Sequence, residues 1–251
     1  MILCVDIGNT NIKCALGEAD NYITASFATL EMNEPSDFDG FIANCFGSDV
    51  WGKLKGAALA SVVPERCRVI TQLLHEKSVP IKRLRPSTCG VDFSRYQSAL
   101  GEDRAVCAFA AANKYPSPAL PLVVIDFGTA TTINVVDENK VFLGGAIAAG
   151  IQTGINALAS RTAQLPPVQL NQQPKLIAGN TTEALVSGAI MGAVCLAQGY
   201  VRLLEAELGK EPLIIITGGA APKVLPFLDD LAKHEPTLLM DGLFMLYSHL
   251  N

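Results

Sequence analysis

The chain opens with an apolar run that ends at an acidic residue. Met1–Asp6 predicts a buried strand, and Asn11–Leu16 predicts its hairpin partner after a tight turn at residues 8–10. The same strand-turn-strand pattern recurs at Leu122–Val136, with Gly128 at the place of the first turn's glycine. This is an internal repeat in which each copy heads about half of the chain.

Other elements follow from the spacing of apolar residues. Gly56–Val63 and Leu213–Thr217 are expected to be strands, and Glu102–Lys114 and Thr182–Leu208 have helical spacing. Strands that alternate with helices predict an α/β fold.

The longer predicted helix carries two further signals. Asn180 and Glu183 resemble a capping box at its start. Small residues recur four apart within Ser187–Gly199, which predicts close packing of this helix. For a dimer, which only the family resemblance described below implies, the helix from Thr182 onward is the candidate interface.

The middle of the chain contains a break. Tyr115–Pro121 holds three prolines, which rule out a helix and disfavour a central strand. We therefore expect two domains, residues 1–117 and 118–251.

Composition favours a compact protein that binds small molecules. Of 251 residues, 49% are hydrophobic, and the net charge of -5 with scattered Lys and Arg argues against nucleic acid. Because neither a signal peptide nor an apolar stretch long enough for a bilayer is recognised, we expect a cytoplasmic protein without a membrane partner. Seven cysteines without a C-x-x-C pair do not predict disulfides or zinc, and fit a reducing cytosol.

Common phosphate-binding motifs are weak or missing. Gly47–Leu54 has the glycine and lysine spacing of a P-loop, but Leu54 replaces the hydroxyl residue that would hold magnesium. No G-x-G-x-x-G occurs, which removes the simplest dinucleotide interpretation.

The repeated acidic turn suits a nucleotide. A carboxylate at the end of a strand, such as Asp6 or Asp126, beside a glycine turn with exposed N–H groups can bind phosphate and metal together. Two such turns facing each other would hold a nucleotide triphosphate, with Mg²⁺ and with hydroxyls from Thr10, Thr129 and Thr131. The alternative is that both are only Asp-capped hairpin turns.

Two glycine-rich segments remain ambiguous. Leu213–Val224 is a strand that runs into a glycine pair, which permits either close approach of a flat ligand or close packing of a helix. Phe142–Gly150 is expected to be a glycine-rich loop with the same two interpretations.

A further pair of charged residues opens the shorter helix. In Gly101–Arg104, Arg104 could bind a carboxylate in a bidentate fork while Asp103 accepts a proton from a hydroxyl. The simpler interpretation is a surface carboxylate that complements the helix dipole. Taken with the acidic turns, the pair indicates transfer of phosphate from a nucleotide to an alcohol.

These motifs resemble a known family. "DIGNTNIK", "GEDR", "DFGTATT", "GGAI", "LASRTAQLP", "NTTEA" and "TGGAA" follow the order found in type III pantothenate kinases, from Met1 to about Lys223. The resemblance implies a two-domain actin-like ATPase fold with duplicated ribonuclease H-like halves that contain βαβ units. It also implies a homodimer that phosphorylates pantothenate with ATP, Mg²⁺ and a monovalent cation, K⁺ or NH₄⁺.

The resemblance also implies site residues. For the nucleotide it indicates Thr129 and a first phosphate loop formed by Asp6, Ile7, Gly8, Asn9, Thr10, Asn11, Ile12 and Lys13. Asp6 would lie near magnesium, and Asp126 would bind the monovalent cation. Asp103 would be the catalytic base, and the pantothenate site would contain Tyr96, Gly101, Glu102, Asp103, Arg104 and Thr181.

Two other functions stay open. One is a kinase of the same fold with another small alcohol or carboxylate as acceptor. The other is a regulatory or binding protein that keeps the cleft without turnover. The acidic residues Asp6, Asp103 and Asp126 favour an enzyme.

Overall fold

The computed structural model describes residues 1–19, 21–85, 89–116, 120–228 and 232–249. The chain divides into two compact units, the first formed by Met1–Pro116 with Thr237–Asn251 and the second by Ser117–Pro236. Each unit is built on one five-stranded sheet with helices.

The first unit has the sheet order β3-β2-β1-β4-β5. β1 pairs with β2 in the antiparallel direction and with β4 in the parallel direction, and β4 and β5 are also parallel. Its strands are β1 (Ile2–Ile7), β2 (Asn11–Glu18), β3 (Asn21–Ala28), β4 (Gly56–Ser61) and β5 (Ile81–Arg83). Its helices are α1 (Pro35–Phe46), α2 (Pro64–Glu76), α3 (Glu102–Lys114) and α7 (Leu238–His249).

The second unit repeats this topology. Its order is β8-β7-β6-β9-β10, with antiparallel β8, β7 and β6 followed by parallel β9 and β10. Its strands are β6 (Leu122–Phe127), β7 (Ala130–Val136), β8 (Phe142–Ala149), β9 (Leu213–Thr217) and β10 (Ala232–His234). Its helices are α4 (Ile151–Arg161), α5 (Thr181–Leu208) and α6 (Ala221–Val224). The predicted α/β fold with two duplicated ribonuclease H-like halves is confirmed.

The alternation of side chains along the central strands explains where each acidic residue lies. Leu3, Val5 and Ile7 of β1 belong to a core that also contains residues of α1 and α2. In β6 the corresponding residues Val123, Ile125 and Phe127 pack with residues of α4 and α5. Because successive residues of a strand point to opposite faces, the aspartate before the last residue of each strand lies on the face away from that core.

The last helix differs from the predicted domain division. The predicted second domain covers residues 118–251, but α7 belongs to the first unit. A Cβ on Gly242 of α7 would lie 2.8 Å from Cγ1 of Val106 and 3.0 Å from Cβ of Ala110 in α3. The small residues of the two helices therefore allow close contact between α3 and α7, and this contact joins segments more than 120 residues apart in the chain.

The segment Phe142–Gly150 was expected to be a loop, and this expectation is wrong. It forms edge strand β8, which pairs with β7 from Ala130↔Ala149 onward. Glycine is required at position 145 for the strand conformation: its φ is 149°, and a Cβ there would collide with the carbonyl group of Ile133. A register shift in β7 between Val135 and Val136 accompanies this irregular stretch.

Helix α5 also corrects an expectation. It is the one helix among the described residues that is long and apolar enough to cross a membrane by length and composition, with a mean hydropathy of 1.6 over its best 18 residues. The prediction that no stretch reaches this length is wrong, since residues 184–201 contain no charged side chain. Only 28% of that window is buried, so α5 presents apolar surface.

The contact of α7 with β3 generates a prediction about pH. The Tyr22 hydroxyl donates to Oδ1 of Asp241 at 2.7 Å, and its ring stacks on Phe244 with centroids 4.8 Å apart. Burial, together with the Asp241 carboxylate, raises the pKa of Tyr22 from 10.0 to about 12. The folded state holds this proton more tightly than the unfolded chain, so the contribution to stability is complete below pH 10 and is lost as the pH rises towards 12. We expect the wild type to lose more unfolding free energy than Tyr22→Phe between pH 8 and 11.5 in urea titrations. Parallel pH curves for the two proteins would contradict this expectation.

Candidate active site

The first acidic turn joins β1 to β2. Asp6 is half-buried and lies opposite Lys13 on β2 and Ala60 on β4. The last paired residues are Ile7 and Ile12, and between them the amide of Gly8 donates to the carbonyl of Asn11 at 3.1 Å. The glycine N–H thus closes the turn, so an anion would have to be met by later amides of the loop.

The predicted first phosphate loop contains both exposed and buried members. Asn9, Thr10, Asn11 and Lys13 are exposed, whereas Ile7 and Ile12 are fully buried in the core. Any nucleotide contact by the two isoleucines would therefore come from the backbone.

The second acidic turn joins β6 to β7 and is one residue shorter. Asp126 lies opposite Thr132 on β7 and Thr217 on β9, and the amide of Gly128 donates to the carbonyl of Ala130 at 3.1 Å. Thr129 is exposed at the tip of the turn. Thr131, in contrast, is buried and lines a groove between α4 and α5. Unlike Thr129, it is not exposed at the tip of the turn.

The glycine pair after β9 has two roles. Gly218 has φ of 97°, and a Cβ there would collide with Oδ1 of Asp126 and the backbone of Phe127. The adjacent backbone is fixed by the amide of Ala220, which donates to the carbonyl of Phe127 at 3.0 Å. Gly218 is therefore required for close packing, while Gly219 is exposed and a Cβ on it would meet no atom within 4 Å. Only Gly219 leaves open space for a ligand.

The start of helix α3 carries the charged residues predicted to bind the acceptor, Asp103 and Arg104. A Cβ on Gly101, the residue before the helix, would lie 2.6 Å from Oδ1 of Asp103, because that carboxylate folds back over the start of the helix. The same oxygen accepts the amide of Arg104 at 2.7 Å. Asp103 is half-buried, so it combines a fixed orientation with access to solvent.

Glu102 connects this helix start to the sheet. Its Oε2 accepts the amide of Ser61 at 2.9 Å, and its Oε1 accepts Nη2 of Arg83 at 2.6 Å. Ser61 ends β4 and Arg83 ends β5. Sequence reasoning missed both partners, since they lie 41 and 19 residues away and carry no local signal.

Arg104 and Tyr96 form a pair. Arg104 as a whole is 7% exposed; its Nη1 donates to the Tyr96 hydroxyl at 3.2 Å, and its Cζ lies 5.5 Å from the ring centroid. The hydrogen bond from Arg104 is the main cause that lowers the pKa of Tyr96, with a further hydrogen bond from Ser98. The structure thus brings Tyr96 together with Gly101–Arg104 in the first unit.

Thr181 lies in the second unit, where it is the exposed first residue of α5. Asn180 caps the helix by accepting the amide of Glu183 at 3.0 Å. The Glu183 carboxylate instead accepts the amide of Gly179 at 3.0 Å and Nζ of Lys175 at 2.7 Å. The predicted capping box is therefore half formed, and Thr181 begins a firmly anchored helix.

Comparisons with known proteins agree with the motifs. The type III pantothenate kinase family model matches residues 2–203. The chain is 37% identical to the type III pantothenate kinase of a Thermus thermophilus strain, over 98% of each chain. It is 35% identical to that of Parafrankia sp. EAN1pec, over 98% of this chain and 97% of the relative.

A solved structure shows the fold independently. A ROK family glucokinase from Streptomyces griseus, in complex with glucose and AMPPNP, has a TM-score of 0.54 at 12% identity, with 98% of both chains covered. This likeness extends the predicted actin-like fold class to the whole chain, while the sequence comparisons identify the family. The chain belongs to the type III pantothenate kinase family.

Proposed function

We propose that this chain transfers the γ-phosphate of ATP to pantothenate and forms 4'-phosphopantothenate, the first step of coenzyme A biosynthesis. The observation that carries the proposal is the start of α3, where the half-buried Asp103 accepts the amide of Arg104 and the buried Arg104 donates to the Tyr96 hydroxyl. These two charged residues occur in a chain whose curated relatives are named type III pantothenate kinases.

The reaction assigns a separate task to each residue at the start of α3. Phosphoryl transfer needs positioning and charge stabilisation more than covalent chemistry. Asp103 orients the primary hydroxyl of pantothenate and accepts its proton late in the transfer. Arg104, held by Tyr96, binds the pantothenate carboxylate. Thr181 stays a predicted contact of pantothenate. Glu102 fixes the helix start through Ser61 and Arg83, and so acts on the substrate through its neighbours.

The donor sets fit the expected cations. No group of three or more His, Cys, Asp or Glu side chains that could hold a metal occurs in the part of the chain that is described. This agrees with Mg²⁺, which is commonly held by one or two carboxylates, water and substrate phosphates, and Asp6 with Thr10 supplies oxygen ligands of that kind. We assign the monovalent cation to the half-buried carboxylate of Asp126, whose Oδ1 packs closely against Gly218. Bound Mg²⁺ would neutralise charge on the triphosphate.

A homodimer in the cytoplasm is part of the proposal. Helix α5 presents small residues at Ala184, Gly188 and Gly192 beside the groove with α4, which has a volume of about 440 Å³. Small residues let a second helix approach closely, and α5 presents apolar surface, since only 28% of its most apolar 18-residue window is buried. All seven cysteines are free thiols.

Replacing the proposed base tests the reaction. We expect Asp103→Asn to lower kcat by about 10²- to 10⁴-fold with little change in the KM for pantothenate, because the amide keeps the shape but cannot accept the proton. Turnover is measured by coupled detection of ADP, with pantothenate compared against a panel of other alcohols. Asp49→Asn, which changes an exposed carboxylate paired with Lys53, is the matched control. Near-normal turnover by Asp103→Asn would remove the assignment.

Magnesium dependence tests the first acidic turn. We expect Asp6→Asn to raise the Mg²⁺ concentration for half-maximal activity by about 10- to 100-fold, in the range typical for loss of a residue that supports a metal site. The measurement is a Mg²⁺ titration at saturating ATP and pantothenate. An unchanged midpoint in Asp6→Asn would show that this carboxylate does not serve the metal.

The dimer is tested on α5. A Cβ on Gly192 would meet no atom within 4 Å, so Gly192→Glu places a charge on the exposed face without disturbing the protomer. We expect light scattering at micromolar concentration to give twice the mass of one chain for the wild type and the single mass for Gly192→Glu. Gly52→Glu, also exposed and uncrowded in the first unit, is the control that should stay dimeric. A monomeric wild type would refute the dimer, and a dimeric Gly192→Glu would exclude this interface.

A further inference from the structure

Thr29 donates two hydrogen bonds to carbonyl groups of the first acidic turn. Thr29 comes directly after the last residue of β3 and is only 3% exposed. Its hydroxyl donates to the carbonyl of Gly8 at 2.7 Å, and its amide donates to the carbonyl of Thr10 at 3.0 Å. Two carbonyl groups of the turn are thus bound by one residue.

In the other unit, two residues bind one carbonyl group of the second acidic turn. Gly150 comes directly after the last residue of β8, and its amide donates to the carbonyl of Thr129 at 3.2 Å. The hydroxyl of Thr153, in the first turn of α4, donates to that same carbonyl at 2.7 Å.

The two arrangements occupy equivalent places in the duplicated fold. In each unit the residue directly after the third antiparallel strand donates its amide to the acidic turn, and a nearby threonine hydroxyl donates to a carbonyl of that turn. The hydroxyls bind different places of the two turns, the carbonyl of Gly8 in the first and that of Thr129 in the second. What recurs is one amide and one threonine hydroxyl bound to each turn.

The physical effect comes from the planar peptide. In a trans peptide the C=O and the next N–H point in opposite directions, and the described residues contain no cis peptide bond. A hydroxyl that fixes the carbonyl of Gly8 therefore directs the amide of Asn9 away from Thr29. In the same way, Thr153 directs the amide of Ala130 away from α4.

We propose that Thr29 and Thr153 are positioning residues for the nucleotide, each within its own unit: each hydroxyl binds a carbonyl group of its acidic turn and holds the next N–H of that turn on the opposite side, where it donates to phosphate. The inference rests on the proposed function only in taking the ligand to be a nucleotide with phosphate groups. Carbonyl oxygens that faced the phosphates would repel them, so loss of the hydroxyl weakens binding without removing any atom that touches the ligand.

The test compares hydroxyl with methyl at each position. Thr29→Val and Thr153→Val keep the shape of the side chain and remove the donor, while Thr29→Ser and Thr153→Ser keep it. Dissociation constants for a non-hydrolysable ATP analogue with Mg²⁺ are measured by titration calorimetry, alongside the KM for ATP and for pantothenate. We expect each valine variant to bind the analogue about 5- to 50-fold more weakly and each serine variant to stay within about twofold of wild type. The KM for ATP should rise with the dissociation constant, while the KM for pantothenate should not change.

A matched control separates the turn from general stability. Thr162 lies in the same unit as Thr153, is exposed, and its hydroxyl donates to the carbonyl of Leu158 at 2.9 Å away from the turn. Thr162→Val should leave nucleotide binding unchanged. If Thr29→Val fails to fold, the exposed Thr153 still decides the matter.

The outcomes also distinguish this inference from the proposed function. Valine variants that bind the analogue as wild type does, or serine variants as weak as valine, would overturn the positioning role. So would a wild type that binds no nucleotide. A wild type that binds nucleotide but does not phosphorylate pantothenate would overturn the proposed function alone, and the comparison of valine with serine would still decide this inference.

Discussion

The candidate site depends on one constraint, the parallel pairing of each aspartate-bearing strand with the next strand of its sheet. Asp6 of β1 lies opposite Ala60 of β4, and Asp126 of β6 lies opposite Thr217 of β9. Carboxyl ends of parallel strands meet at one edge of a sheet, where α/β proteins bind their ligands. In the first unit this edge also receives Glu102, through the amide of Ser61, and with it the start of α3. In the second unit the turn after β9 packs directly on Asp126.

The duplication keeps backbone geometry more strictly than sequence. Both units have the same strand order and the same glycine amide closing the acidic turn, although the first turn has one residue more. The segments after the third strands differ, since the first unit has a short 3₁₀ helix at Thr29–Glu31 and the second has the full helix α4. Both segments nevertheless donate hydrogen bonds to carbonyl groups of the acidic turn. The retained feature is therefore a set of hydrogen bonds to carbonyl groups, which several local structures can supply.

Local signals in the sequence predicted the elements whose ends they mark. The bounds of α3 and β9 agree with the prediction, because Gly101 precedes the one and the apolar run of Leu213–Thr217 forms the other. The sequence did not reveal contacts between distant segments. Edge strand β8 was taken for a loop since its glycines lower strand propensity, and only its pairing with β7 makes it a strand. The same holds for the site. Asp103 and Arg104 were predicted because they are neighbours in sequence. Ser61, Arg83 and Thr29 were not, because their hydrogen bonds to the site join segments that are distant in sequence.

The position of Asp103 depends on the burial of the helix that carries it. Every residue of α3 from Arg104 to Ala112 is buried, and its alanines allow the close contact with α7 at Gly242. A helix enclosed in this way cannot shift without opening the core of its unit. The backbone position from which the Asp103 carboxylate projects is therefore fixed. Glu102 then fixes the remaining freedom at the helix start by binding the ends of two strands. An error of about 1 Å in the placement of a reacting group can cost about 10²-fold in rate. The role proposed for Asp103 therefore depends on α7 as well, although that helix is distant in sequence from the first acidic turn.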